Sequence, residues 1–235
     1  MFRVKDWIHY LGYTLIGSAL AKNFSIINFI VTPFLLAYAY SLNEYYTKEQ
    51  KKKYFLIPLI LYFIFLPLLP TFGILLSLSS FLIHTPYSHP KIWLEGKPFI
   101  STISNSLGFT LILLLPFRRA TDVLTHFPLL TIIFLFNTAA QLLHEIVDYK
   151  KDKKVNKITT TVKLGTKTSL TFFKFCLIAI SILAILLLAE FPLMSFSTIL
   201  FSLLFLRIKK VDKEIRRKFK EWGILVGIIY LIELT

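Results

Sequence analysis

Acidic side chains are scarce in this chain: 13 Asp and Glu stand against 27 Lys and Arg over 235 residues. Cysteine is scarcer still. The one cysteine, Cys176, lies inside an apolar run, which excludes a disulfide framework and a cysteine-built metal site. No polar stretch is long enough to form a soluble domain, and no internal repeat is evident. The first apolar run follows residues 1–6 directly and lacks a small-residue cleavage site, so a cleavable signal peptide is not expected. Paired interrupted spans, or intramembrane charges in matching halves, would mark a secondary transporter; neither stands out.

What the chain has in plenty is apolar surface. Hydrophobic residues make up 55% of it and the mean hydropathy is +0.67, more than a soluble fold can bury. Apolar runs fall at roughly 7–21, 25–42, 54–69, 71–84, 99–116, 128–146, 168–188, 191–206 and 221–235. Crossing a bilayer takes about 20 apolar residues, fewer where the ends snorkel or the membrane thins. The expected fold class is all-α, a polytopic membrane protein of about nine transmembrane helices. The third and fourth runs are parted only by the proline-rich stretch 67–70.

Nine spans put residues 1–6 and the loops 43–53, 85–98, 147–167 and 207–220 on one side. They carry 23 of the 27 basic residues. Such asymmetry is the positive-inside signature, so the N-terminus and these loops are expected in the cytoplasm. The net charge of +14 is thereby assigned to topology and to contact with anionic membrane lipids, not to nucleic acid. The most basic stretch, "KKVDKEIRRKFKEW" at 209–222, reads as a solvated connector between the last two spans.

One loop carries candidate chemistry. "QLLHEIVDYKKDKKVNKITTTVKLG" runs from Gln141 to Gly165. If the sixth span continues as a helix past the membrane surface, Gln141, His144, Glu145, Asp148 and Asp152 share one face. Two carboxylates one turn apart can hold a hard divalent cation. Mg²⁺ typically takes one or two carboxylates and completes its shell with water and phosphate oxygens. The lysines at 150, 151, 153, 154 and 157 suit a diphosphate. On spacing alone, an ordinary basic loop with incidental carboxylates explains the segment as well.

The wider pattern resembles the second aspartate motif of the UbiA superfamily of intramembrane prenyltransferases, which reads approximately D-x-x-x-D-x-x-x-G-x-x-T-x-x-x-x-x-G. Asp148 and Asp152 match, Asn156 replaces the first glycine, Thr159 takes the threonine position and Gly165 the last glycine. Asn tolerates the left-handed conformation better than most residues. A second match is "TPYSHPKIWLEGKPF" at 85–99, where Tyr87-x-x-x-Lys91 fits one form of the family's loop after the fourth span. Another form places basic residues where this chain has Trp93 and Glu95. At the end of the second span the family has N-x-x-x-D-x-x-x-D, and this chain reads "LNEYYTKEQKKKY". Asn43 matches, the aspartate positions hold Thr47 and Lys51, and Glu44 and Glu49 are nearby carboxylates at different spacing.

The resemblance implies one transmembrane domain over residues 1–235, with helices bundled around a central cavity. It implies Mg²⁺-dependent transfer of a prenyl group from a polyprenyl diphosphate donor to a small, hydrophobic or lipid acceptor. Asp148 and Asp152 would hold the metal, with Asn43 and Glu44 as further ligands. Lys91, Lys97 and Lys154 would bind diphosphate, and Tyr87 would orient it or stabilise a cation. Two alternatives stay open: a catalytically degenerate relative that binds an isoprenoid or a partner, and an unrelated polytopic transporter or scaffold.

Overall fold

The computed structural model describes residues 4–47 and 53–235. Glu49 and Lys51 therefore lie outside the described residues. All regular structure among the described residues is helical. In chain order the α-helices are α1 (Val4–Trp7), α2 (Leu11–Leu20), α3 (Ile26–Tyr46), α4 (Leu56–Phe65), α5 (Thr71–Ser88), α6 (Ile100–Leu114), α7 (Ala120–Thr125), α8 (Phe127–Lys154), α9 (Thr160–Leu164), α10 (Thr166–Leu186), α11 (Pro192–Leu206) and α12 (Lys213–Leu234). Among the described residues, the nine helices of ten or more residues each overlap one of the nine apolar runs.

Proline sets several boundaries. After α4 a 3₁₀ turn over Leu66–Leu68 carries Pro67, and Pro70 stands at the N-cap of α5, so the third and fourth runs are separate helices. Pro128 and Pro192 sit in the first turns of α8 and α11, where a missing N–H costs nothing. Pro33 and Pro86 lie inside α3 and α5, a placement that apolar membrane helices tolerate. Two helices run farther than hydropathy indicates. α8 continues to Lys154, well past the apolar run, as the shared-face reading requires. The basic stretch expected as a connector is instead largely helical from Lys213 onward, with Asp212 as N-cap accepting from the Ile215 amide at 2.9 Å.

The chain divides into two compact units, Met1–Leu94 with Leu107–Thr125, and Glu95–Ser106 with His126–Thr235. α6 contributes turns to both. In the first unit, Val31, Leu35, Leu36, Tyr62 and Ile112 form the buried centre. Gly17 of α2 lies so close to the Leu113 carbonyl of α6 that a Cβ could not be accommodated. Small residues at such crossings let membrane helices approach through their backbones. Buried hydroxyl pairs, Thr14 with Thr32 at 3.1 Å and Tyr62 with Ser77 at 2.9 Å, satisfy each other within the apolar packing.

In the second unit, α8, α10, α11 and α12 pack on one another. Phe136, Phe173, Phe201, Phe205 and Phe219 form a continuous set of ring contacts at centroid distances of 4.9–5.6 Å. Glu233, near the end of α12, accepts from the Leu193 and Met194 amides at 2.8 and 2.6 Å, capping α11 from another helix. Among the described residues α3, α8 and α10 are long and apolar enough to cross a membrane, while α6, α11 and α4 with its 3₁₀ turn are shorter apolar helices. Large apolar side chains such as Ile64, Leu82, Phe175, Leu186, Phe196 and Ile232 are exposed, as lipid-facing positions require.

Candidate functional site

α8 enters its polar end with one face already buried. Gln141, Glu145 and Asp152 are each less than a tenth exposed, and Asp148 lies between them, partly open. Glu145, at 2% exposure, is the best-bound carboxylate of the set. Its Oε1 accepts from Ser101 Oγ at 3.3 Å, Thr102 Oγ1 at 3.0 Å and Gln141 Nε2 at 3.4 Å. Its Oε2 accepts from the Thr161 amide at 3.0 Å. Thr160 Oγ1 lies 2.7 Å from Thr102 Oγ1 and accepts from the Phe99 amide at 2.8 Å. This network ties the segment after the aspartates to the start of α6. It also holds Phe99 at φ 63°, a conformation a bulky residue keeps only when its surroundings impose it.

The end of α8 explains the residue at 156. Asn156 has φ 55°, in the left-handed region. The Lys157 amide donates to the Asp152 carbonyl at 3.0 Å and the Asn156 amide to the Lys153 carbonyl at 3.4 Å. That pair of bonds is a Schellman termination, which wants glycine or asparagine at this position. The reversal turns the Lys157 ammonium back to 3.9 Å from Asp152 Oδ1, while the same ammonium pairs with Glu95. Gly165 closes the segment at φ 83° and ψ 158°, a conformation essentially restricted to glycine.

Asp148 and Asp152 follow one another by a helical turn, and the His144 ring lies 3.5 Å from Asp148. Burial pushes the Asp152 carboxyl above the usual carboxylate range. Lys157 opposes the shift; Asp148, Glu95 and Glu145 add to it. Asp148 and Asp152, one helical turn apart, offer hard carboxylate oxygens of the kind a hard divalent cation takes. Among the described residues no three His, Cys, Asp or Glu side chains converge as a metal cage. Two carboxylates are as many as Mg²⁺ typically takes from a protein when water or phosphate completes its shell, so the residues present are compatible with that ion. Glu145 already spends both oxygens on protein donors and is an anchor. Lys154 and Lys97 are exposed in this unit.

The remaining candidates lie in the first unit. Asn43 Nδ2 donates to Ser88 Oγ at 2.7 Å, and the Tyr46 and His89 rings meet edge-on at 5.1 Å, so the ends of α3 and α5 adjoin. Glu44 is buried, Tyr87 half-buried on the last turn of α5, and Lys91 exposed. Thr47, at a family aspartate position, donates its hydroxyl to the Asn43 carbonyl of its own helix at 2.9 Å.

A model of the UbiA prenyltransferase family matches residues 46–223, well over half of the chain. The chain belongs to the UbiA prenyltransferase family. It is accordingly an integral, multi-pass membrane protein. Solved structures of a UbiA homolog from Archaeoglobus fulgidus share the fold. The form bound to Cd²⁺ superposes with a TM-score of 0.77 at 16% identity, covering 100% of this chain and 97% of that one. The form bound to GPP and Mg²⁺ gives 0.75 at 15% identity, covering 98% and 97%. A digeranylgeranylglyceryl phosphate synthase gives 0.71 at 20% identity, covering 100% and 96%. Among curated proteins none matches significantly in sequence.

Two features of this UbiA chain escape motif reading: the Glu145 anchor and the Glu95–Lys157 pair. The serine and threonine donors around Glu145 are scattered over 60 residues, and nothing local marks them as partners. Glu95 stands where one form of the family's loop is basic, and here it takes a lysine from the other loop.

Proposed function

We propose that this UbiA-family protein transfers a prenyl group from a polyprenyl diphosphate to a small or lipid acceptor within the membrane. The observation that carries the reading is the pair Asp148 and Asp152 at the polar end of α8, with Asp152 buried among further carboxylates. In the family, solved homologues bound GPP or DMAPP together with Mg²⁺. Here Asp148 and Asp152 are the proposed Mg²⁺ ligands, and Asn43 and Glu44 a further set of oxygen donors. Bound Mg²⁺ supplies Lewis-acid neutralisation of the leaving diphosphate.

The chain's own residues have distinct tasks in this scheme. The allylic C–O bond to diphosphate breaks with its electron pair staying on oxygen, the acceptor attacks the resulting cation, and the acceptor's proton is lost. Lys91, Lys97 and Lys154 act as point charges toward the diphosphate. The Tyr87 ring orients the donor or faces the cation. Glu145 holds the segment 159–165 in place so that the aspartates keep their geometry. A central cavity among apolar helices would keep water from the cation. The aspartate loops are proposed to face the cytoplasm, in keeping with their basic charge.

The test is transfer from labelled prenyl diphosphates with Mg²⁺ and a membrane-lipid extract, comparing wild type with Asp148→Asn and Asp152→Asn. Transfer that falls at least a hundredfold in both variants is the expected result. A second reading rests on Thr47, whose hydroxyl is bound within its own helix at a position where the family has aspartate. It has the protein bind a prenyl diphosphate without turnover. Aspartate-dependent binding with no product from any donor would favour it, and absence of binding would defeat both.

A further inference from the structure

A cleft of about 540 Å³ lies in the second unit, between the polar end of α8, the start of α10 and the connection from α11 to α12. It is separate from the aspartate face. At 3.6 residues per turn, Gln141, Glu145, Asp148 and Asp152 fall within about 60° of the α8 circumference. The cleft is lined by Ile146, Val147, Tyr149 and Lys150, on the rest of that circumference.

Five lysines line it: Lys150, Lys167, Lys209, Lys210 and Lys213. All are exposed, and among the described residues none has a salt-bridge partner. The one acid in the lining, Asp212, is engaged as the N-cap of α12 through the Ile215 amide. Five ammonium groups converging from three chain segments on one concavity repel one another, and an anion relieves that repulsion. The walls between them are apolar, formed by Ile146, Val147, Leu170 and Val211. Leu203 and Leu204, in the last turns of α11 a few residues before Lys209, are exposed apolar side chains. A cationic floor beside lipid-facing apolar surface, where membrane helices end, suits a molecule with a phosphate head and acyl tails better than a free anion.

We propose that this cleft is a specific site for one anionic phospholipid, its phosphate held by the lysines of α10 and the α11–α12 connection and its acyl chains lying along α10 and α11. The site is independent of the prenyl-transfer reading, since it shares no residue with the aspartate face.

The experiment uses the full-length protein in nanodiscs of equimolar phosphatidylcholine and phosphatidylglycerol, with retained lipid counted by native mass spectrometry. Wild type is expected to retain one phosphatidylglycerol in preference to phosphatidylcholine. Lys209→Gln/Lys210→Gln/Lys213→Gln should lower that occupancy at least tenfold. Lys150→Gln/Lys167→Gln, from the opposite walls, should lower it similarly and guards against a folding defect in the first variant. A control of equal charge loss outside the cleft, Arg217→Gln/Lys218→Gln/Lys220→Gln, should change it less than twofold. Inorganic phosphate and glycerol phosphate, added at millimolar concentration, should not displace the lipid. Equal loss in the cleft and control variants would reduce the effect to diffuse surface charge and overturn the proposal. So would displacement by inorganic phosphate, which would make the cleft a free-anion site, or retention of both lipids without preference.

Discussion

Replacing Glu145 by glutamine tests the anchor behind the aspartates. The side chains are nearly the same size, so packing is preserved and only charge and one acceptor are lost. Glu145 uses both oxygens: Oε1 takes three side-chain donors, and Oε2 takes the Thr161 amide. Glutamine has one acceptor oxygen. In either orientation its NH₂ group must face a donor, against the Thr161 N–H or against the Ser101, Thr102 and Gln141 group. The hydroxyls can rotate away; the Thr161 amide and the Gln141 NH₂ group, whose own oxygen is held by Asn105, cannot, so one of these two donors loses its acceptor in either orientation. Leaving a buried donor unsatisfied costs about 1–3 kcal/mol. For a chain of this size each kcal/mol shifts Tm by roughly 2–4 °C, so a fall of roughly 2–12 °C is expected. Thermal unfolding in detergent measures the whole, and hydrogen exchange at residues 159–165 measures the locality. Unchanged Tm together with unchanged amide protection at Thr161 would refute the assignment of Glu145 as anchor of this segment.

Three further outcomes follow from the same geometry. Asn156→Gly should leave stability unchanged or slightly raised, whereas Asn156→Val should cost about 1–2 kcal/mol, because the Schellman turn needs a left-handed residue there; thermal unfolding of the pair checks it. Gly17→Leu should destabilise the first unit by pushing α2 off the Leu113 carbonyl, and loss of amide protection in residues 11–20 would report it. The raised pKa of Asp152 means that its neutral form suits the metal-free fold better than its charged form. Its contribution is therefore fully present below the ordinary carboxylate pKa and is lost as pH rises through the raised one. Asp152→Asn should accordingly be more stable than wild type at neutral pH without Mg²⁺, and the difference should vanish on acidification; added Mg²⁺ should raise the Tm of wild type only.

Much of the secondary structure was legible because membrane helices announce themselves by composition. Each of the nine apolar runs became a helix, and even the break at Pro67 and Pro70 was visible. The ends were less legible. Hydropathy stops at Ile146 and cannot see the two charged turns that carry α8 to Lys154, nor the helical start of α12 within the basic stretch. The local signal for α12 was present in Asp212, an N-cap residue that a charge count overlooks. Asn156 was readable in the same local way, since its left-handed conformation depends on the turn that ends α8.

By itself, then, the amino-acid sequence determined an all-helical membrane protein, the placement of its spans, and the one-turn spacing of Asp148 and Asp152. These are local properties of hydropathy and helical period. Only the tertiary structure decided which acids are free to meet a ligand. Glu145 stands on the same helical face as the aspartates, yet Ser101, Thr102 and Thr161 arrive from distant parts of the chain to occupy both its oxygens. Lys157 likewise belongs to Glu95 and Asp152 by virtue of a chain reversal and a second loop. Hydrogen bonds of this kind depend on where separate segments meet in space, and helical periodicity carries no record of that.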